Sequence, residues 1–215
     1  MAGKFHHEEL YRGADHVALL ADVSIALCGA GALGSNLADT LARQGFQRLR
    51  VIDFDRVEEH NTSTQLYGVD DVGAWKTDVL ANKIFRSVGI EIETVRKELN
   101  DRNVRKLING TDIVVDTFDN SKSRAAVQNG CRAADRPCLH VGLFADYGEV
   151  VWDHQYRVPG DTDEDVCDYP LARNLVGLTV ALAAESLVRY TLQDEQSSHT
   201  VTLGDFAIRP LLAAT

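Results

Sequence analysis

The sequence predicts an α/β fold built on a mainly parallel sheet, with helices on both faces and an antiparallel extension at the C-terminal end. Two observations support this prediction. Short runs of β-branched residues alternate with longer segments of helical periodicity, which is the layout of βαβ units. The chain of 215 residues contains neither an internal repeat nor a Pro/Ser-rich linker, so we expect a single domain over residues 1–215.

Each predicted strand is a short apolar or alternating run, and each predicted helix carries apolar residues at helical spacing. The predicted strands cover residues 23–28, 49–53, 90–99, 112–118, 137–144 and 149–158, with a closing strand over residues 199–210. The predicted helices cover residues 33–46, 75–89, 121–134 and 171–192, and residues 1–20 form a helix or an N-terminal arm. Gly45 ends the first of these helices.

Some of these elements carry a further expectation about their place in the fold. The strand over 112–118 is apolar enough for the centre of the sheet. The segments 137–144 and 149–158 lie close enough in the chain to pair as a hairpin. The helix over 171–192 is apolar around most of its circumference, so it should be largely buried.

Composition argues against several classes of protein. The formal net charge is -10, and no continuous Lys/Arg stripe is present, which makes nucleic acid an unexpected partner. No stretch approaches the roughly 18 uninterrupted apolar residues of a membrane span, and the N-terminus lacks the apolar run of a secretory signal. We therefore expect a cytoplasmic protein without a membrane partner. The four cysteines include no CxxC pair, and neither a disulfide scaffold nor a structural zinc is expected.

A glycine-rich turn gives the first indication of function. Residues 29–34 have the sequence GAGALG and fit G-x-G-x-x-G between a predicted strand and a predicted helix. The first glycine permits the tight turn, the second lets a phosphate approach the backbone, and the helix N-terminus attracts the phosphate charge. Asp53 ends the second strand, where an acidic residue binds ribose hydroxyls in such folds. These residues predict a Rossmann-like nucleotide-binding fold, and they serve NAD and ATP equally well.

Later segments favour ATP through a family resemblance. Together with the glycine turn, residues 53–68, 72–76 and 116–124 resemble the ThiF/MoeB/HesA group, the bacterial relatives of ubiquitin-activating enzymes. The residues that match the family's motifs, in the family's order, are Gly29, Gly31, Gly34, Asp53, Asp55, Val57, Asn61, Gln65, Gly73, Lys76, Asp119, Asn120 and Arg124. The resemblance covers roughly residues 20–190, and ordered matches in four blocks are more specific than any single block.

The resemblance implies ATP-dependent adenylylation, in which a carboxylate oxygen attacks the α-phosphorus of ATP and pyrophosphate leaves. It implies that Asp119 holds Mg²⁺, which carboxylates and phosphate oxygens suit. It also implies that Lys76 contacts the phosphates and that Asn61 and Gln65 orient the triphosphate. The other ATP-binding residues that it implies are Gly29, Gly31, Gly34, Asp53, Asp55 and Asn120. The alternative is ordinary structure: a solvated Lys76, and a helix cap formed by Asp119 and Asn120.

The resemblance also implies partners. The activated carboxylate is that of the C-terminal glycine of a small ubiquitin-like or sulfur-carrier protein, and the enzyme is a homodimer. Three alternatives remain open on the sequence. The acceptor is instead a small-molecule, peptide or tRNA carboxylate; the protein is an NAD-dependent oxidoreductase; or it is a nucleotide-binding partner without catalysis. Lys76 with Asp119 and Asn120 favours ATP over NAD.

The chain departs from the family pattern at two points. Thr64 stands where the family usually carries an arginine aimed at the phosphates, and this change removes a charge-assisted contact. Arg12 is the candidate replacement, since the family often sends an N-terminal arginine into the active site of the partner subunit. The second departure is the absence from the sequence of the paired CxxC motifs that hold zinc in many members.

Cys167 is the candidate acceptor of the activated acyl group. It belongs to an acidic loop over residues 159–170, in the region where some family members place a reactive cysteine. A thiolate is an effective nucleophile, but the acidic neighbours of Cys167 disfavour the thiolate form, so both a catalytic and an inert cysteine remain open. The residues expected in the core instead are Cys28, Cys131, Cys138 and His140.

Overall fold

The computed structural model describes residues 2–160 and 170–211. Its strands are β1 Ser24–Cys28, β2 Arg48–Ile52, β3 Glu93–Val95, β4 Ile113–Asp116, β5 Cys138–Phe144, β6 Tyr147–Trp152, β7 His199–Thr202 and β8 Ala207–Pro210. Its α-helices are α1 His6–Arg12, α2 Ala14–Asp22, α3 Ala32–Gln44, α4 Lys76–Val88, α5 Val104–Leu107, α6 Ser121–Ala133 and α7 Arg173–Gln193. Two 3-10 helices, Glu59–Ser63 and Val69–Asp71, lie between β2 and α4.

The strands form one mixed sheet in the order β3-β2-β1-β4-β5-β6-β7-β8. The strands from β3 to β5 in this order are parallel, and β6, β7 and β8 extend the sheet with antiparallel pairing. This arrangement confirms the predicted α/β fold, its mainly parallel sheet and its antiparallel C-terminal extension. β5 and β6 form the predicted hairpin, with Leu139 opposite Trp152 and Phe144 opposite Tyr147.

An apolar core lies on each face of the sheet. β1 and β4 are buried along their whole lengths, as central strands are when both faces are covered. One core contains Leu37 of α3, Leu80 of α4 and Leu187 of α7. The other core contains Leu107 of α5 and Val127 of α6. Helices therefore cover both faces of the sheet, as the sequence predicts.

α7 is the longest helix in the described part of the chain. Its length and composition would allow it to cross a membrane, but 50% of its most apolar window is buried inside the protein. It packs against α2, α3, β5 and β6, and Leu175, Thr179, Ala183 and Leu187 belong to its buried face. These contacts are typical of a core helix. The burial predicted for this segment is confined to that face, and Arg189 is exposed.

Three predicted strands differ from the observed ones. The strand predicted over 149–158 is shorter, because β6 ends at Trp152 and residues 153–155 form a turn. The alternating run over 90–99 forms only the short β3, because β3 is the edge strand and pairs with β2 alone. The predicted closing strand over 199–210 is a hairpin instead, since residues 203–206 turn the chain back so that β8 pairs with β7. The N-terminal segment forms two short helices, α1 and α2, which Gly13 separates with a φ of 95°.

Candidate active site

The carboxyl ends of β1, β2 and β4 meet at one edge of the sheet. In the register of these strands, Cys28 lies opposite Ile52 on one side and Asp116 on the other. The helix that follows β1 belongs to one core and the helix that follows β4 to the other. Parallel sheets bind ligands in the crevice that opens where such connections diverge. The glycine turn, Asp53 and Asp119 all follow strand ends at this edge.

The glycine turn 29–34 is shaped for a tight bend with open space beside it. Gly29 has a φ of 106°, a backbone conformation that L side chains rarely adopt. A Cβ at Gly34 would overlap the carbonyl oxygen of Gly29, whereas a Cβ at Gly31 would meet no described atom within 4 Å. Gly31 is the N-cap of α3, and no described side chain caps that end. The first amides of α3 are therefore available to an anion, and the turn fits nucleotide phosphates.

Asp53 braces this turn. Its Oδ2 accepts a hydrogen bond from the backbone N–H of Ala30 at 2.7 Å, and its Oδ1 accepts one from the N–H of Asp55 at 2.7 Å. Burial raises the pKa of the Asp53 carboxyl, although Lys76 and the two amides act in the opposite direction. The carboxylate that the sequence assigns to ATP therefore accepts hydrogen bonds from the backbone through both of its oxygens, and it fixes the shape of the turn.

Lys76 and Asp55 form an ion pair beside Asp53. Lys76 is the first residue of α4, and its Nζ lies 3.1 Å from Oδ2 of Asp55. The Lys76 side chain is 10% exposed, whereas that of Asp55 is 49% exposed. Lys76 is thus a buried cation at the crevice rather than the solvated lysine of the alternative interpretation. Asp55 has the free surface that a ribose hydroxyl would need.

Asn61 and Gln65 lie in and just after the 3-10 helix Glu59–Ser63. Asn61 is buried, and its Oδ1 accepts a hydrogen bond from the N–H of Glu58 at 2.9 Å. The backbone N–H of Gln65 donates to the Asn61 carbonyl, and the Gln65 Oε1 is buried without a described partner. Asn61 therefore stabilises the 3-10 helix Glu59–Ser63. Of these two residues, Gln65 is the one whose side chain has a polar atom without a described partner.

Asp119 and Asn120 have different roles, although they are neighbours in the chain. Asn120 caps α6, because its Oδ1 accepts a hydrogen bond from the N–H of Ser123 at 2.8 Å. The capping alternative therefore describes Asn120, whose oxygen is not available to ATP. Asp119 is exposed, and its one described hydrogen bond is a long one from Asn120 Nδ2 at 3.4 Å. Asp119 is free to face a bound ligand.

Asp119 fits Mg²⁺ only as one ligand among several. The described residues contain no group of three or more His, Cys, Asp or Glu side chains that could hold a metal ion. A single carboxylate suits Mg²⁺ when phosphate oxygens and water complete the octahedron. The donor set therefore fits an ion that binds together with the nucleotide, and it does not fit an all-protein site.

Arg12 is held within its own chain. Its Nε lies 2.7 Å from Glu8 and its Nη2 lies 2.7 Å from Glu185 of α7.

Arg173 of α7, and not Arg12, contacts Thr64: the Arg173 Nη1 donates to the Thr64 carbonyl at 2.8 Å. Glu185 is twelve residues further along α7, about 18 Å away at the rise of an α-helix. The sequence motifs did not point to Arg173. The feature that could have done so is a basic residue at the start of the last predicted helix, where a positive charge is unusual.

A buried polar cluster surrounds Asp116, the last residue of β4. His140 of β5 has its Nδ1 2.8 Å from Oδ2 of Asp116, and its ring stacks on Tyr156 with centroids 3.7 Å apart. Arg124, one of the matching family residues, donates to the Tyr156 hydroxyl at 3.0 Å and to the Val141 carbonyl at 2.9 Å. Arg124 is therefore a positioning residue for this cluster. His140 is the core histidine that the sequence predicts.

The cysteines also follow the prediction where the structure describes them. Cys28, Cys131 and Cys138 are buried and free. Burial raises the pKa of the Cys28 and Cys138 thiols well above its usual value, so neither is suited to act as a nucleophile. Cys167 lies outside the described residues, and its role as an acyl acceptor stays a prediction.

The turn, the Asp55 carboxylate that pairs with Lys76, and the exposed Asp119 follow strand ends at one edge of the sheet, an arrangement that fits the phosphates of a nucleotide. Residues 8–194 match the ThiF family. The chain belongs to this family, as the motifs of the sequence predict.

Two curated relatives and one solved structure illustrate the similarity. The chain is 30% identical over 172 residues to ubiquitin-like modifier-activating enzyme 5 of Oryza sativa, covering 73% of this chain and 40% of that protein. It is 29% identical over 154 residues to the sulfur carrier protein ThiS adenylyltransferase of Bacillus subtilis, covering 69% of this chain and 46% of that protein. The chain thus spans less than half the length of these relatives.

The solved structure is that of E. coli MccB with MccA-N7isoASN. The TM-score is 0.85 at 17% identity, and the match covers 100% of this chain and 72% of that chain. At this identity the similarity concerns the fold alone, and it extends through the antiparallel strands at the C-terminal end.

Proposed function

We propose that this chain is an ATP-dependent adenylyltransferase that activates the C-terminal carboxylate of a small ubiquitin-like or sulfur-carrier protein. The observation that carries the proposal is the buried Lys76 ammonium, paired with the half-exposed Asp55 carboxylate, beside the open glycine turn. A dehydrogenase needs the turn and a ribose carboxylate, whereas a buried cation beside the turn suits the negative charge that grows on a leaving pyrophosphate. The relatives named for ubiquitin-like modifier activation and for ThiS adenylylation support the acceptor class.

The proposed reaction forms one bond and breaks one. A terminal carboxylate oxygen of the carrier attacks the α-phosphorus, and the bond from that phosphorus to the bridging oxygen of pyrophosphate breaks. Negative charge grows on the leaving phosphates, where preorganised donors lower the barrier most. The first amides of α3 and the Lys76 ammonium supply such donors.

Mg²⁺ belongs to the same proposal. Asp119 would hold the ion, which when bound neutralises charge on the phosphate oxygens. Asp55 would bind the ribose hydroxyls and, through its ion pair, would keep Lys76 directed into the crevice. Asp53 would keep the turn in place, because its Oδ2 accepts a hydrogen bond from the N–H of Ala30, while its Oδ1 is held by the N–H of Asp55.

Cys167 would carry a second step. Its thiolate would attack the carbonyl carbon of the adenylate, forming a thioester while AMP leaves with the carboxylate oxygen. Mass spectrometry of the reaction mixture tests this step. We expect a thiol-sensitive adduct that disappears in Cys167→Ala, and an adduct that survives this substitution would rule Cys167 out as the acceptor.

We also propose that the protein is a cytoplasmic homodimer. Leu10 and Tyr11 of α1 are 70% and 82% exposed, and they are the apolar side chains of this helix that a second subunit would cover. Sedimentation equilibrium should give the mass of two chains. A single-chain mass at micromolar concentration would contradict the dimer.

Isotope exchange tests the enzymatic proposal. The protein should exchange labelled pyrophosphate into ATP only when a carrier that ends in glycine is present, because reversal of the reaction requires the adenylate. NAD should not raise the thermal midpoint, whereas ATP with Mg²⁺ should. If the protein binds ATP but shows no carrier-dependent exchange, the proposed acceptor is wrong. The protein would then activate a different carboxylate, or it would bind the nucleotide without catalysis.

A further inference from the structure

Arg173 occupies a position that helix stability does not explain. It is the first residue of α7, its N-cap is Ala172, and the first turn of the helix contains no acidic residue. The N-terminus of a helix is its positive end, so acidic side chains stabilise it and a cation is disfavoured there. A reason for this arginine must therefore lie in what its guanidinium contacts.

The guanidinium of Arg173 joins two segments of the nucleotide site. Its Nη1 donates to Oδ1 of Asn36 at 2.9 Å and to the carbonyl of Thr64 at 2.8 Å. Asn36 in turn donates from Nδ2 to the carbonyls of Ala32 and Thr64. Asn36 lies in the second turn of α3, and Thr64 precedes Gln65. Arg173 is thus anchored between the helix that follows the glycine turn and the segment that bears Asn61 and Gln65.

The anchor places this cation close to the start of α3. Asn36 is four residues from Ala32, about 6 Å along the helix axis, and helical side chains lean towards the N-terminus. The guanidinium therefore lies within about one helical turn of the amides that fit the first phosphate. At that separation a guanidinium can reach phosphates that extend beyond the one bound at the turn.

The charge of Arg173 has no counterion in residues 2–160 and 170–211. The Nε and Nη2 atoms of Arg173 make no hydrogen bond with a described residue, and the guanidinium forms no ion pair with a described carboxylate. Arg12 and Arg132, by comparison, each pair with a carboxylate. A planar guanidinium with free N–H groups is the side chain best matched to phosphate oxygens.

We infer that Arg173 binds the phosphates beyond the α-phosphate of ATP and holds the pyrophosphate as it leaves. This inference rests on the proposed function. Arg173 reaches the site from the far end of the chain and places a guanidinium at Thr64, where the sequence itself supplies none. Its contacts with Asn36 and Thr64 use one nitrogen, and within residues 2–160 and 170–211 the other N–H groups have no partner that would compete with a phosphate.

Binding titrations with three ligands test this role. Wild type, Arg173→Gln and Arg173→Lys are each titrated with ATP, AMP and pyrophosphate in the presence of Mg²⁺. Glutamine removes the charge but still has an amide that can donate to Asn36 and Thr64. The control is Arg189→Gln, which removes an exposed cation from the same helix, where Arg189 contacts Glu185 and Glu195.

Arg173→Gln should weaken ATP and pyrophosphate binding about tenfold or more, as loss of a charge-assisted contact does, and should leave AMP binding within about twofold. Arg173→Lys should recover part of the ATP affinity, and Arg189→Gln should bind all three ligands as wild type does. Equal weakening of ATP and AMP would show a structural role and overturn the inference, as would no weakening.

The two proposals fail in different ways. If wild type and Arg173→Gln both bind ATP equally well and exchange proceeds, only the role of Arg173 is wrong. If Arg173→Gln separates ATP from AMP but wild type shows no carrier-dependent exchange, the phosphate role holds and the acceptor class is wrong. Failure of wild type to bind ATP would overturn both.

Discussion

Lys76 illustrates what burial adds to a single residue. The sequence offers it either as a phosphate ligand or as a solvated helix lysine. The structure buries its side chain and places its Nζ 3.1 Å from Asp55. A cation on the first residue of α4 opposes the helix dipole, and the Asp55 carboxylate offsets that cost. Such an arrangement preserves a positive charge at the crevice, where phosphates need it.

We predict that Lys76→Ala lowers the rate of carrier-dependent pyrophosphate exchange by about a hundredfold, the typical effect of removing one preorganised donor. The matched control is Lys83→Ala on the same helix, since Lys83 is paired with Asp71 instead. Initial exchange rates at saturating ATP measure the difference. Equal rates in the two variants would remove Lys76 from the mechanism.

The glycine turn offers a matched pair of substitutions. A Cβ at Gly34 would overlap Gly29 and lie 2.8 Å from Thr117 Oγ1, so Gly34→Ala should lower the free energy of unfolding by about 1–3 kcal/mol. A Cβ at Gly31 meets no described atom within 4 Å, so Gly31→Ala should change it by less than about 0.5 kcal/mol.

The same pair separates stability from binding. Gly31→Ala should weaken ATP binding, because its methyl group would occupy the space in which the phosphates are expected. Urea unfolding and ATP titration of both variants provide the two measurements. A Gly31→Ala protein that binds ATP as tightly as wild type would show that the phosphates lie elsewhere.

At the scale of elements, the buried cluster around His140 links β4, β5 and α6. Burial lowers the pKa of His140, but the hydrogen bond with Asp116 and the Asp153 carboxylate 3.4 Å from Nε2 outweigh it, so the pKa is raised above its usual value. Because folding raises the pKa of His140, the protonated imidazole stabilises the folded protein. This stabilisation is complete at pH values below the pKa of His140 in the unfolded chain, and it is lost as the pH rises through the pKa of His140 in the folded protein.

The free energy of unfolding should therefore decrease from about pH 6 towards pH 9, by about 1.4 kcal/mol for each unit by which folding raises the His140 pKa. His140→Gln should flatten this decrease, and His154→Gln, at an exposed position, should keep it. Urea unfolding at several pH values gives the slopes. A decrease that persists unchanged in His140→Gln would assign it to another group.

The elements themselves were largely predictable because periodicity is a local property. Strands β1, β2 and β4 and helices α3, α4 and α6 begin and end close to the predicted residues. The errors concern information that the local pattern lacks. The alternation over 90–99 does not reveal that β3 is an edge strand, and the run over 199–210 does not reveal the turn at 203–206.

At the scale of the whole molecule, the topology decides which predicted residues meet. The order of β2, β1 and β4 places Asp53, the glycine turn and Asp119 at one edge of the sheet. Motif order predicted this set. It did not predict that Asn120 would cap α6 or that Arg173 would reach Thr64, because that contact joins residues 109 positions apart. Packing, and not spacing, determines such contacts.

Transfer of oxygen from the carrier to AMP would show that an acyl adenylate forms. Both oxygens of the carrier's C-terminal carboxylate are labelled with oxygen-18, the protein and ATP with Mg²⁺ are added, and hydroxylamine cleaves the product at its carbonyl carbon. Because the attacking oxygen stays on the α-phosphorus, we expect AMP that contains one oxygen-18 atom. Unlabelled AMP, or release of ADP in its place, would contradict formation of an acyl adenylate.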